Sequence, residues 1–134
     1  MENSKIFSTI GVLIYPFLLM FGFYIVINGD LSPGGGFQGG VIFATSFFIR
    51  YLLSKKDPFN LIIMARFEKI LYILILIFVS LSFLSKNEML TNFLTTDEIL
   101  YQRLFLVALN VLIGLKVTLG IISIISSFIE EGEL

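Results

Sequence analysis

Lys116 stands near the middle of a long apolar run, with twelve residues between it and Arg103. A lysine at the centre of a membrane-spanning helix costs roughly 2.5–3.5 kcal/mol on insertion scales, so it must face protein or water and find a counter-charge. At about 100° per residue, Lys116, Gly120, Ser123 and Ser127 fall within about 60° of one another and form one small, polar stripe. Asn110, Gly114 and Thr118, at i, i+4 and i+8, form a second stripe on a different face. Two roles are open to Lys116: a station or electrostatic gate on an ion or proton path, or a fixed ion pair with an acidic residue of another subunit that holds the assembly together. Asp30 and Glu68 are the candidate carboxylates within the chain, and both are expected at the membrane interfaces. The expected counter-ion of Lys116 is therefore an acidic residue of another subunit.

A second concentration of unusual residues lies between Asn28 and Gly40, where Gly29, Gly34, Gly35, Gly36, Gly39 and Gly40 surround Asp30, Pro33 and Gln38. Each glycine weakens a helix interior by roughly 0.5–1 kcal/mol, so something must offset the cost. Close packing is one offset: Gly36, Gly40 and Ala44 recur every four residues, as do Gly35 and Gly39, and such small-residue rows let another helix approach closely. The other is function. A partly unwound, glycine-lined backbone exposes amides and carbonyls to a water-filled path, with Asp30 as its ionisable group and Gln38 as a polar lining residue. The glycines do not make a phosphate-binding loop, because an apolar helix precedes them and no lysine follows before Lys55.

The elements that must carry these residues follow from hydropathy. The chain has 134 residues, of which 57% are hydrophobic and 14% charged, with a mean hydropathy of +0.97. That is more apolar surface than a soluble domain of this size can hide in one core. The charges also cluster between apolar runs instead of interleaving with them. An all-α integral membrane protein follows, a single membrane domain over 1–134 with about four transmembrane helices near 6–27, 37–53, 58–84 and 96–129, each close to the roughly 20 residues a bilayer requires. Pro16 sits inside the first and predicts a kink. Asp57–Pro58 reads as the N-cap and first turn of the third, and Thr95 with Glu98 as a capping box for the fourth. The first run is too long for a signal-peptide core and has no small-residue cleavage site before Asn28, so it reads as a retained helix.

Six of the nine Lys and Arg residues lie at the N-terminus or around the second connection: Lys5, Arg50, Lys55, Lys56, Arg66 and Lys69. Lys86 and Arg103 lie on the other side. The positive-inside rule then expects a multi-pass plasma-membrane protein with cytoplasmic termini, a cytoplasmic 54–69 connection, and the glycine-rich connection outside. A net charge of −1 gives no basic field for nucleic acid. Without Cys or His the chain brings no thiolate or imidazole to a metal, so no metal site or cofactor of its own is expected. No nucleophile–base pair supports independent catalysis.

The run Pro33-Gly-Gly-Gly-Phe37-Gln-Gly-Gly40, after an apolar helix ending near Gly29, resembles the signature of the B-type subunit family of Mrp (Mnh) multisubunit sodium/proton antiporters. Membrane-bound hydrogenases and related complexes of the complex I lineage carry similar modules. The run Asn110-Val-Leu-Ile-Gly114-Leu-Lys-Val117, followed by Gly120, also resembles that family's last helix. The resemblance covers nearly the whole chain. It implies an accessory subunit of a cation (sodium)/proton antiporter or antiporter-like module, surrounded by lipid and by other membrane subunits, contributing to ion translocation and assembly. Two alternatives stay open: the equivalent subunit of a redox-driven pump such as a membrane-bound hydrogenase, or a purely structural assembly subunit without an ion path. The family often shows Gly-His where this chain has Gly29-Asp30, so a carboxylate stands where an imidazole could transfer protons.

Overall fold

The computed structural model describes residues 5–31, 33–54, 61–86 and 99–132. They form four α-helices: α1 (Lys5–Ile27), α2 (Gly36–Ser54), α3 (Leu61–Lys86) and α4 (Ile99–Gly132). All four are long and apolar enough to cross a membrane, and there is no strand among the described residues. The Asp57–Pro58 cap and the Thr95–Glu98 capping box lie outside the described residues. α1 continues through Pro16 as one helix of 23 residues. α4, at 34 residues, is the longest and spans about 50 Å at the usual rise per residue.

Spatial order differs from chain order. α2 packs between α1 and α4, and α3 packs on the far side of α4, giving the row α1–α2–α4–α3, with α1 also touching α4. α3 has its backbone close to α4 alone and is the least buried helix: 6% of its span is buried, against 28% for α2 and for α4. The small residues explain why α2 takes the central position. A Cβ on Gly40 would lie 2.6 Å from the Gly114 carbonyl oxygen, and one on Gly36 would strike the Asn110 carbonyl oxygen, so this row faces α4 at backbone distance. A Cβ on Gly39 would strike Val26 Cγ2 and approach Gly22 O at 3.2 Å, so Gly39 faces α1, whereas Gly35, just before α2, faces Asn110 of α4. α2 is thus small on two adjacent faces and holds a different neighbour on each.

Larger side chains fill what remains. Ala44, Met64 and Ile122 form a buried cluster with Phe47, Leu119 and Ile121 against it, joining α2, α3 and α4 at one level. Phe23 meets Phe43 edge-on at 4.9 Å, closing α1 on α2, and Phe78 stacks on Phe105 at 5.5 Å between α3 and α4. Much of the surface between the helix ends is apolar, as a chain solvated by lipid requires: Val12, Leu13, Phe17, Ile73 and Phe128 are all more than half exposed.

Candidate functional site

The α1–α2 turn ends at a cap supplied by another helix. The first amides of any α-helix lack intrahelical acceptors. At α2 the Gly36 amide donates to Asn110 Oδ1 of α4 at 3.3 Å. Gly34 (φ 139°) and Gly35 (φ 152°) adopt backbone conformations that L side chains rarely take, bringing the chain into α2 tightly enough for Gly29 to sit against Gly35 and Asn110. One turn further along α2 and two along α4, Thr118 Oγ1 donates to Gly114 O at 2.7 Å and lies 3.1 Å from Gly40 O, so a hydroxyl spans α2 and α4 where their backbones nearly touch. The stripe Asn110, Gly114, Thr118 is therefore the α2-facing side of α4. Replacing Asn110 with Ala should lower stability by about 1 kcal/mol for the lost bond, and more where the Gly36 amide stays dry; thermal denaturation of the detergent-solubilised protein would register it.

The other stripe of α4 faces α3. Lys116 Nζ lies 3.4 Å from Glu68 Oε1, and 5.9 Å from the centre of the Tyr72 ring one turn along α3. Gly120, opposite Glu68, leaves room for the carboxylate, since a Cβ there would meet it only at 3.7 Å. This corrects the expectation that the counter-ion of Lys116 belongs to another subunit. Two facts of geometry account for it. α3 begins at Leu61, three residues later than the 58–84 run expected, and Glu68 closes its second turn. The antiparallel pairing then sets its second turn against the midpoint of α4, where Lys116 lies seventeen residues after Ile99 and sixteen before Gly132.

Asp30 lies in a third cluster, at the end of the bundle where α4 begins. Its Oδ2 is 3.3 Å from Arg103 Nε, and Arg103 Nη2 donates to Asn28 Oδ1 at 3.5 Å. Arg103 entered the sequence reading only as a charge for orientation. Its position seven residues before Asn110, two helical turns, is the signal that could have paired it with the turn that Asn110 caps.

Three of the expected site residues stand apart from these clusters. Gln38 is on the exposed side of α2 and Pro33 on the exposed side of the turn. Ser123 continues the Lys116 stripe, but its carbonyl accepts the Ser127 hydroxyl within α4 at 3.0 Å, and both line a groove with Ile124, Phe128 and Glu131. The polar residues thus fall into an ion-paired seam between α3 and α4 and an ion-paired turn at one end, separated along α4 by about 20 Å.

Four helices long and apolar enough to cross a membrane, two of them joined by an ion pair, define a multi-pass membrane protein. Residues 6–123 match the family described as "Domain related to MnhB subunit of Na+/H+ antiporter", and the chain belongs to that family. A relative in Staphylococcus haemolyticus (strain JCSC1435), named "Putative antiporter subunit mnhB2", is 29% identical over 130 residues, covering 88% of this chain and 92% of that protein. A protein of the same name from Staphylococcus aureus (strain Newman) is 43% identical over 51 residues, covering 38% of this chain and 36% of that protein. No solved structure gives a significant match.

Proposed function

We propose that this chain is an accessory membrane subunit of a multisubunit Na+/H+ antiporter, catalysing no reaction alone and contributing both to ion translocation and to assembly. The match to the MnhB family over residues 6–123 carries this reading. The Lys116–Glu68 pair supports a share in translocation, because charges within a span are costly and stand where ions or protons pass. The glycine seam supports the share in assembly, since it fixes α1, α2 and α4 tightly while leaving α3 and the outer face of α1 apolar and open to neighbours.

Purification from native membranes in mild detergent, with every co-purifying chain identified by mass spectrometry, tests the proposal. Antiporter-type membrane subunits are expected. Iron–sulfur or nickel subunits would assign the chain to a redox-driven pump instead, and recovery of a stable oligomer of this chain alone would overturn the accessory role.

The orientation belongs to the same proposal: both termini cytoplasmic and the α1–α2 turn outside, in the plasma membrane. Leu31, 67% exposed in that turn, is the place to read it. A Leu31→Cys variant should react with a membrane-impermeant maleimide added to intact cells, whereas labelling only after the membrane is opened would invert the topology.

A further inference from the structure

Phe47 of α2 and Leu115 of α4 divide two hollows on one face of the bundle. On the α3 side they line an apolar hollow of about 390 Å³ with Met64, Leu71 and Ile122. On the α1 side they line a second, of about 170 Å³, with Leu19, Phe23 and Phe43. Thr118 borders both, and its hydroxyl is already engaged by Gly114 O. Neither hollow offers a polar group to a water-soluble ligand, and hydrocarbon is the chemistry they fit.

The form of the hollows limits the occupant further. A helix is a single rod about 10–12 Å across with its side chains, rising about 5.4 Å per turn. The larger hollow holds less than one turn of such a rod, and the smaller less than half a turn. Two hollows side by side suit two narrow chains better. The larger runs about 10 Å along α3 and α4, the seven-residue steps from Met64 to Leu71 and from Leu115 to Ile122. That is most of the roughly 15 Å that one leaflet contributes to the hydrocarbon core.

A cation stands at the end of this face. Phe43, Phe47 and Arg50, at i, i+4 and i+7, share one side of α2, and Tyr15 lies one turn from Leu19 on α1. The Arg50 guanidinium is 5.7 Å from the centre of the Tyr15 ring, so these two side chains close the row. Arg50 is exposed and, among the described residues, forms no ion pair, with Glu130 and Glu131 of α4 included. Its planar fork matches a phosphate group, and a tyrosine beside it suits the level of the headgroups. Phe43 to Arg50 is again about 10 Å, so a phosphate held at Arg50 directs its chains along the hollows.

We propose that this face seats one anionic phospholipid, its phosphate on Arg50 beside Tyr15 and its two acyl chains in the hollows on either side of Phe47 and Leu115. The seat does not depend on which ion the parent complex carries.

The test uses the assembled complex in nanodiscs containing phosphatidylglycerol with a diazirine on its acyl chains, photolysed and read by peptide mass spectrometry. Phosphatidylcholine with the same chains is the control. Phosphatidylglycerol adducts should fall on α3 between Met64 and Leu71 and on α4 between Leu115 and Ile122, about fivefold above phosphatidylcholine, the scale of one basic side chain at an anionic surface. Arg50→Gln should remove the preference while leaving the phosphatidylcholine adducts unchanged, and Arg50→Lys should keep most of it. Equal labelling by the two lipids in the unaltered complex overturns the proposal, whether or not Arg50→Gln assembles. So does an assembled Arg50→Gln complex that keeps the preference. A photoreactive p-benzoylphenylalanine in place of Leu115 that cross-links to another protein chain, with no lipid adduct, would give the face to a neighbouring helix and overturn it equally.

Discussion

Gly40→Ala should prevent recovery of the assembled protein from membranes, although it adds a single methyl group. The new Cβ would lie 2.6 Å from Gly114 O and 2.8 Å from Val117 Cβ. The first of these is backbone of a helix on the far side of the seam, so no rotamer change relieves it. Over-packing commonly costs about 1–3 kcal/mol, and a clash with backbone belongs at the upper end or above it. The displacement would also disturb Thr118 Oγ1, which bridges Gly40 O and Gly114 O. Gly120→Ala is the matched control: its Cβ would make only ordinary contact with Glu68 at 3.7 Å, and it should be tolerated. Equal yields of the two variants after detergent extraction would mean that the α2–α4 seam is looser than its backbone distances imply.

Lys116→Met is expected to have the next largest effect. It leaves Glu68 in the α3–α4 seam without its positive partner, and breaking a buried pair on one side costs about 3–5 kcal/mol. About a third of each side chain is open to the surroundings, so the lower end applies here. Glu68→Met strands Lys116 in the same way. Replacing both by Met removes the stranded charge and should restore yield. If the pair is part of the ion path, sodium/proton exchange by vesicles carrying the double variant stays lost despite assembly. Recovery of exchange together with yield would reduce the pair to a structural clasp.

Much of this was legible in the sequence because it is local. Hydropathy marks the four spans, and a spacing of four marks the small rows of α2 and both stripes of α4, since those depend only on residues of one helix. What each stripe meets is not local. Lys116 points to Glu68 because α4 inserts between α2 and α3, an order that no spacing within a helix encodes. Glu68 was expected at the interface because Arg66 and Lys69 flank it. Both of those are exposed, and long basic side chains can extend toward the interface from a helix that is itself deeper. Arg103 was missed for a related reason: it begins an apolar span, where a cation is ordinary, and only the fold of the α1–α2 turn brings Asp30 to it.

The row α1–α2–α4–α3 also bears on how the chain enters the bilayer during synthesis. α1 and α2 can pair as soon as both have emerged, through Gly39 and Val26. α3 comes next and finds little to lean on beyond Ala44 and Phe47 of α2 beside Met64, because its close neighbour in the finished bundle is α4, still unmade. For that interval Glu68 has no counter-ion within the chain and makes the third span reluctant to stay in lipid. Lys116 arrives with the last helix, so two spans that are each poor insertion substrates become acceptable together. A ribosome halted before Ile99 should therefore leave α3 lodged less securely than its hydropathy suggests.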